Sequence, residues 1–113
     1  MVGQTRDPDH KVLERPWEFH LTEFRYVIES ADSAESFIEI VLARDAEIRR
    51  LRFLAPCGLS IDEGFDPNDY LGLEIVDVSS RQLEGISVEV SCFENTPGFR
   101  FFARDVEDLT AGA

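Results

Sequence analysis

The stretch FIEIVLARDAEIRRLRFL, residues 37–54, constrains the fold more than any other part of the chain. Folded back on a two-residue turn at Asp45-Ala46, it pairs residues whose numbers sum to 91. That register sets Ile40 against Leu51 and Ile38 against Phe53 on one face, and Glu39 against Arg52 on the other. An apolar face backed by an opposite-charge pair is what a half-buried antiparallel hairpin needs. Two features pull the other way. Asp-Ala is a poorer two-residue turn than Asp-Gly. Asp32 and Glu35 also have capping-box spacing ahead of Phe37, Ile38, Val41, Leu42, Ile48 and Leu51, which roughly follow a helical period. The hairpin is the preferred reading. A helix over about residues 33–54, which would make the class α+β, is the alternative.

The flanking segments read as further strands. In WEFHLTEFRYVIE, Trp17, Phe19 and Leu21 alternate with Glu18 and His20, and then the apolar phase slips by one to Phe24, Tyr26 and Ile28. A period of two interrupted by one extra residue predicts a long strand with a β-bulge near Thr22-Glu23. A short strand is expected at Leu59 to Asp62, and LGLEIVDV (71–78) reads as a strand apolar on both faces. ISVEVSCFE places Ile86, Val88, Val90 and Cys92 on one face. NTPG puts Pro97 and Gly98 at the centre of a type II turn. The last strand, FRFFAR, would then return with Phe93 opposite Phe102, and with Phe99 and Phe101 on the other face. These readings predict a mainly β fold, an antiparallel sandwich or partly closed barrel of about five to six strands. Residues 1–15, polar and without periodicity, are expected to form a flexible arm. Residues 16–106 form a single globular domain on this reading. Residues 107–113 are an acidic tail with room for one short extra pairing.

The charge is the strongest global signal. Among 113 residues, 23 acids face 11 bases, for a formal net charge of −12, and the bases are ten Arg and one Lys. Such a field repels phosphate backbones and anionic headgroups and favours basic partners, so neither nucleic acid nor membrane is an expected partner. Acidity also serves plain solubility, as in many soluble bacterial proteins. Arg49, Arg50 and Arg52 form the one basic cluster, with Glu39 and Glu47 close by in the hairpin register. The N-terminus has no apolar core of a signal peptide, and no apolar run reaches the roughly 18 residues of a membrane span, so a cytoplasmic location is expected. Cys57 and Cys92 are expected to be buried free thiols, two cysteines being too few for a disulfide framework.

No catalytic or cofactor motif stands out. The histidines are His10, in the expected arm, and His20, which alternates outward. Ser79 and Ser80 lie in no nucleophile elbow. Asp77, the acid in the apolar run LEIVDV, would have a raised pKa if buried alone, but a strand-end position accepting hydrogen bonds around Ser79 is favoured. Neither a cofactor nor a metal is expected. No Cys-x-x-Cys or His pair suits a transition metal. The loop SIDEGFDPNDY, residues 60–70, offers Asp62, Glu63, Asp66, Asn68 and Asp69, but their spacing fits no EF-hand and Pro67 stiffens the segment. A solvated connection is the plain reading of this loop. Its sharper reading is a docking surface in which Asp62, Glu63, Asp66 and Asp69 steer a basic partner, with an exposed Phe93-Phe102 pair supplying apolar contact. The expected function is a non-enzymatic acidic protein-binding module, of the inhibitor or immunity type. The alternatives are a small-molecule binder or enzyme with a pocket between the sheets, lined by Asp77 or Trp17, and a structural homodimer built on the Phe-rich hairpin.

Overall fold

Eight strands occur among residues 8–28, 35–65, 72–92 and 98–110, the parts of the chain that the computed structural model describes. They are β1 (His20–Val27), β2 (Phe37–Arg44), β3 (Glu47–Leu54), β4 (Cys57–Ile61), β5 (Leu73–Asp77), β6 (Val88–Cys92), β7 (Phe99–Ala103) and β8 (Asp105–Asp108). All pairings are antiparallel, in two sheets of order β1-β2-β3-β8 and β4-β7-β6-β5. The class is the mainly β one expected, a small sandwich.

The central hairpin forms in the expected register, from Phe37 opposite Leu54 to Arg44 opposite Glu47. The helical alternative over 33–54 is overturned. Asp45 takes the turn with φ +54, a conformation Asp tolerates better than most residues because its short side chain can bond locally. The bulge in β1 is also where the phase slip put it: Leu21 pairs with Leu42 and Glu23 with Val41, leaving Thr22 as the extra residue. The Thr22 hydroxyl donates to the Val41 carbonyl at 3.1 Å and secures the kink. The strand is shorter than expected at its start, since Pro16–Glu18 form a 3-10 turn and pairing begins at His20.

The eight strands exceed the expected five to six; β4, expected from Leu59 and observed from Cys57, and β8, expected only as room for one short extra pairing, arise at a corner. β3 runs through Ala55-Pro56 into β4, and β7 through Arg104 into β8. Each continuous segment therefore serves both sheets. Their pairing is one bent ribbon: Leu54 opposite Asp105 and Cys57 opposite Phe102 both sum to 159, and the Arg104 amide donates to the Leu54 carbonyl between them at 2.9 Å. Strands that switch sheets in this way make the corners of sandwiches. Ala55 turns the corner with φ +49, and a register shift follows between Cys57 and Ser60. Residues 107–110, expected in the acidic tail, are thus built in: the Leu109 amide donates to the Arg50 carbonyl, and the Arg50 amide to the Thr110 hydroxyl.

Between the sheets lie Phe19, Leu21, Ile38, Ile40, Leu42, Leu51 and Phe53 from one side, and Leu73, Ile75, Val88, Val90, Phe99, Phe101 and Ala103 from the other. Burying each of the larger side chains contributes about 1.5–3 kcal/mol. Phe53 and Phe101 meet edge to face at 5.2 Å and Phe24 meets Phe99 at 5.1 Å, so aromatic contacts tie the layers together. Residues 8–15 do not behave as the arm that their composition implied. The Pro8 carbonyl accepts from the Asp77 amide, the His10 amide donates to the Ile75 carbonyl, and Leu13 is buried in the core. This segment covers the free edge of β5, and the two apolar residues Val12 and Leu13 are too short a run for periodicity to reveal it.

Candidate functional site

The bulge in β1 opens a cleft between the layers. Leu21, Thr22, Glu23 and Phe24 form one wall, and Ile61, Phe65 and Phe99 form the other, around about 220 Å³. Phe65 and Phe99 meet edge to face at 5.6 Å on its floor, while Ile61 stands 54% exposed at the mouth. Glu23 is exposed on the first wall, and Asp62 and Glu63 follow Ile61 directly in the chain. One exposed acidic residue, Glu23, therefore lines an otherwise largely apolar cleft, and two more, Asp62 and Glu63, stand next to its Ile61 in the chain.

Asp62 and Glu63, grouped in the sequence reading, play different parts. The Asp62 carboxylate accepts from the Gly98 amide at 3.1 Å, and its own amide donates to the Gly98 carbonyl at 2.8 Å. Asp62 thus ties the start of the acidic loop to the start of β7. Its carbonyl accepts from the Phe65 amide in a turn that Gly64 completes at φ +87, which swings Phe65 back onto the cleft. Glu63 is exposed at the tip of that turn. Asp66 and Asp69 lie outside the described residues, as do Asn68 and Phe93. No group of three or more His, Cys, Asp or Glu placed to hold a metal ion occurs among the described residues.

The positions opposite Phe102 are filled by other residues than the sequence reading expected. In the observed register Phe102 stands opposite Glu89 on β6 and Cys57 on β4, on the outer face of its sheet. The pairing of β6 with β7 sums to 191 (Val90 with Phe101), where a turn centred on Pro97-Gly98 would need 195. The connection is longer than a two-residue turn. Phe99 and Phe101 are buried inward, and Arg100 lies over the half-exposed Phe102 ring at 5.7 Å.

The remaining reactive side chains are accounted for locally. Asp77 accepts from the Ser79 hydroxyl at 2.6 Å and the Ser79 amide at 2.9 Å, and these bonds hold its carboxyl below the ordinary value. That direction is opposite to the one a proton-donating acid needs. Trp17 borders a separate, open groove with His10, Lys11 and Arg15. Both cysteines are free, but Cys57 is exposed and not buried as expected. Cys92 is half-buried, and burial pushes its thiol up.

The feature least visible in the sequence is Glu39. It lies on the outer face of β2 and is only 3% exposed, because Arg25, Arg50 and Arg52 close over it. Arg25 and Arg50 each donate to Oε1 at 3.0 Å, and Arg52 donates to Oε2 through Nε at 3.2 Å and Nη2 at 3.0 Å. Burial pushes the carboxyl up, but the hydrogen bonds from Arg52, Arg25 and Arg50 outweigh it and leave the group below its ordinary value. A second network closes one end of the sandwich. Arg44 binds Glu18 at 2.6 Å and Glu47 at 2.9 Å, Arg49 joins Glu47 to Asp108, and the Arg44 guanidinium lies 4.6 Å above the Phe19 ring.

Fold and geometry together define a small antiparallel sandwich with a largely apolar cleft that Glu23 also lines. Comparison with known protein families, characterised proteins and solved structures gives no match to this chain. No helix among the described residues is long and apolar enough to cross a membrane.

Proposed function

We propose that this chain is a non-enzymatic, acidic protein-binding module, of the inhibitor or immunity type, that grips a basic partner at the cleft between β1 and β4. The carrying observation is the conjunction of the apolar cleft with Glu23 in its wall and with exposed Asp62 and Glu63 directly after Ile61 in the chain. A volume of about 220 Å³ falls below the roughly 300–1,000 Å³ of ordinary small-molecule sites. It suits one bulky apolar side chain. A partner that inserts a Phe or Leu while flanking Lys or Arg residues meet the carboxylates satisfies both halves of the site, and the net charge of −12 steers its approach.

The test uses fluorescein-labelled peptides with a central Phe flanked by Lys and Arg, and matched peptides flanked by Glu. The basic series is expected to bind with an affinity that falls steeply as salt rises. Backbone amide shifts should concentrate at Leu21, Phe24, Ile61 and Phe65. Substituting the exposed Ile61→Ala should speed dissociation, and the Glu23→Gln/Glu63→Gln double variant should slow association. Equal binding of both series, or shifts away from the cleft, would overturn the reading.

A further inference from the structure

The outer face of the sheet β1-β2-β3-β8 carries a second charged surface, built differently from the cleft. At its middle lies Glu39, 3% exposed, with Arg25, Arg50 and Arg52 closed over it. The carboxylate accepts from four of their N–H groups, a minority of the donors that three guanidiniums carry. The three arginine side chains remain 52%, 46% and 34% exposed, so the middle of this face presents cations to solvent. One buried carboxylate under three guanidiniums leaves an excess of two positive charges. That excess runs against the rest of the chain, where 23 acids face 11 bases. In the network at the end of the sandwich the balance is reversed, with Arg44 and Arg49 sharing Glu18, Glu47 and Asp108. Guanidiniums gathered on a single carboxylate repel one another, and a further anion above them relieves that repulsion.

We propose that Arg25, Arg50 and Arg52 form a recognition site for a phosphorylated side chain on a protein segment that crosses this face. Arginine clusters recognise phosphate because each planar fork can donate to two of its oxygens at once. A phosphate monoester carries a charge of about −1.5 to −2, which matches the excess. The acids of the face stand toward its edges. Glu23 lies on β1, at the end of the row through Val41 and Arg50, and Asp105 and Glu107 lie on β8. Arg52 turns to Glu39 and not to Glu107, which is exposed directly across from it. Carboxylates at both edges repel an extended polyanion and admit one compact dianion between them. The open surface of a sheet encloses a free small molecule poorly, whereas a peptide adds contacts along the strands. Glu39 also prepares the site. It fixes all three cations, and the Arg52 guanidinium is stacked 4.1 Å above the Phe37 ring, which lowers the ordering cost of binding.

The test titrates the full, isotope-labelled chain with an end-capped phosphoserine peptide of otherwise uncharged sequence, up to about 5 mM, a range that reaches weak contacts. Saturable backbone amide shifts centred on Arg25, Glu39, Arg50 and Arg52 are expected. The unphosphorylated peptide should give none, and methyl phosphate alone should bind more weakly than the phosphopeptide. Arg50→Gln leaves Glu39 its bonds from Arg25 and Arg52, and should weaken binding about tenfold in a chain that stays folded. Arg100→Gln removes the same charge from the outer face of the other sheet and should leave binding unchanged. Should Arg50→Gln fail to fold, Arg25→Gln takes its place with the same expected loss. An absence of saturable binding, shifts centred elsewhere, or methyl phosphate bound as tightly as the peptide would each overturn the proposal. So would a folded Arg50→Gln chain that binds like wild type, or equal losses from Arg50→Gln and Arg100→Gln.

Discussion

Glu39 and Glu89 occupy matching places and meet different fates. Each lies on the outer face of an interior strand, β2 in one sheet and β6 in the other. The Glu39 side chain is 4% exposed and takes four guanidinium hydrogen bonds, whereas that of Glu89 is 15% exposed and has Arg81 at 3.4 Å and Arg100 at 3.8 Å. The difference lies in where the cations are rooted. Arg25 and Arg52 stand directly opposite Glu39 on the flanking strands, and Arg50 reaches it diagonally. Glu89 instead stands between Val76 and Phe102, with Arg100 displaced by one pair and stacked on Phe102, and Arg81 reaching in from a 3-10 turn. Strand neighbours can enclose a carboxylate. Diagonal and loop neighbours alone only accompany it.

The largest expected effect comes from breaking the first arrangement. Glu39→Gln keeps the shape but aims an amide at three guanidiniums, and it should cost about 2–3 kcal/mol of stability, read from urea unfolding near pH 7. The pH dependence follows from the lowered pKa. A carboxyl that titrates lower in the folded than in the unfolded chain contributes its full stability above the unfolded value, and loses it as pH falls through the folded one. The gap between wild type and Glu39→Gln should therefore narrow as pH is lowered from about 5 toward 3. Asp77 and Asp108 also titrate low, so wild type retains other acid-labile contributions that both proteins share.

Gly58→Ala probes the outer face of the other sheet. Gly58 has φ +67, and an added Cβ would come within 3.3 Å of the Phe102 ring. A loss of about 1–2 kcal/mol is expected. Gly85→Ala is its control, with φ +71 and no atom within 4 Å of the added carbon, so it should show the backbone cost of about 1 kcal/mol alone. Equal losses would mean that the Phe102 ring simply yields. The smallest effect belongs to Glu89→Gln, which should stay within about 0.5 kcal/mol because its ion pairs are long and their cations exposed. A Glu89 variant as damaging as that of Glu39 would erase the distinction between the two faces.

The same contrast governs what the sequence disclosed. The β2–β3 register was legible because two constraints agreed: apolar residues matched on one face and Glu39 with Arg52 on the other. In the β6–β7 hairpin the sequence offered a strong turn signal in Pro97-Gly98 but no charge pair to check it, and the inferred register was four too large. The bulge at Thr22 was legible from the phase slip, yet the cleft it opens was not, because Ile61, Phe65 and Phe99 reach it from distant parts of the chain. The burial of Glu39 was half legible. Arg52 follows from the hairpin, but Arg25 joins only once β1 is laid beside β2. Leu13 escaped notice, and β8 showed only as room for one short extra pairing, because their segments carry too few apolar residues to set a period.

The bent ribbon that joins the two sheets also sets the order in which the molecule can come together. Leu51 finds its partner in Asp108 and Cys57 in Phe102, so neither sheet is complete until residues 99–108 are available. A chain leaving the ribosome can close the β1-β2-β3 meander early, but β3 must wait with an open edge while the intervening segment is made. Contacts this distant in sequence close slowly, because the connecting chain loses entropy before the pairing rewards it. During that interval the acids that dominate the chain keep neighbouring copies apart and guard the waiting edge against pairing with the wrong strand.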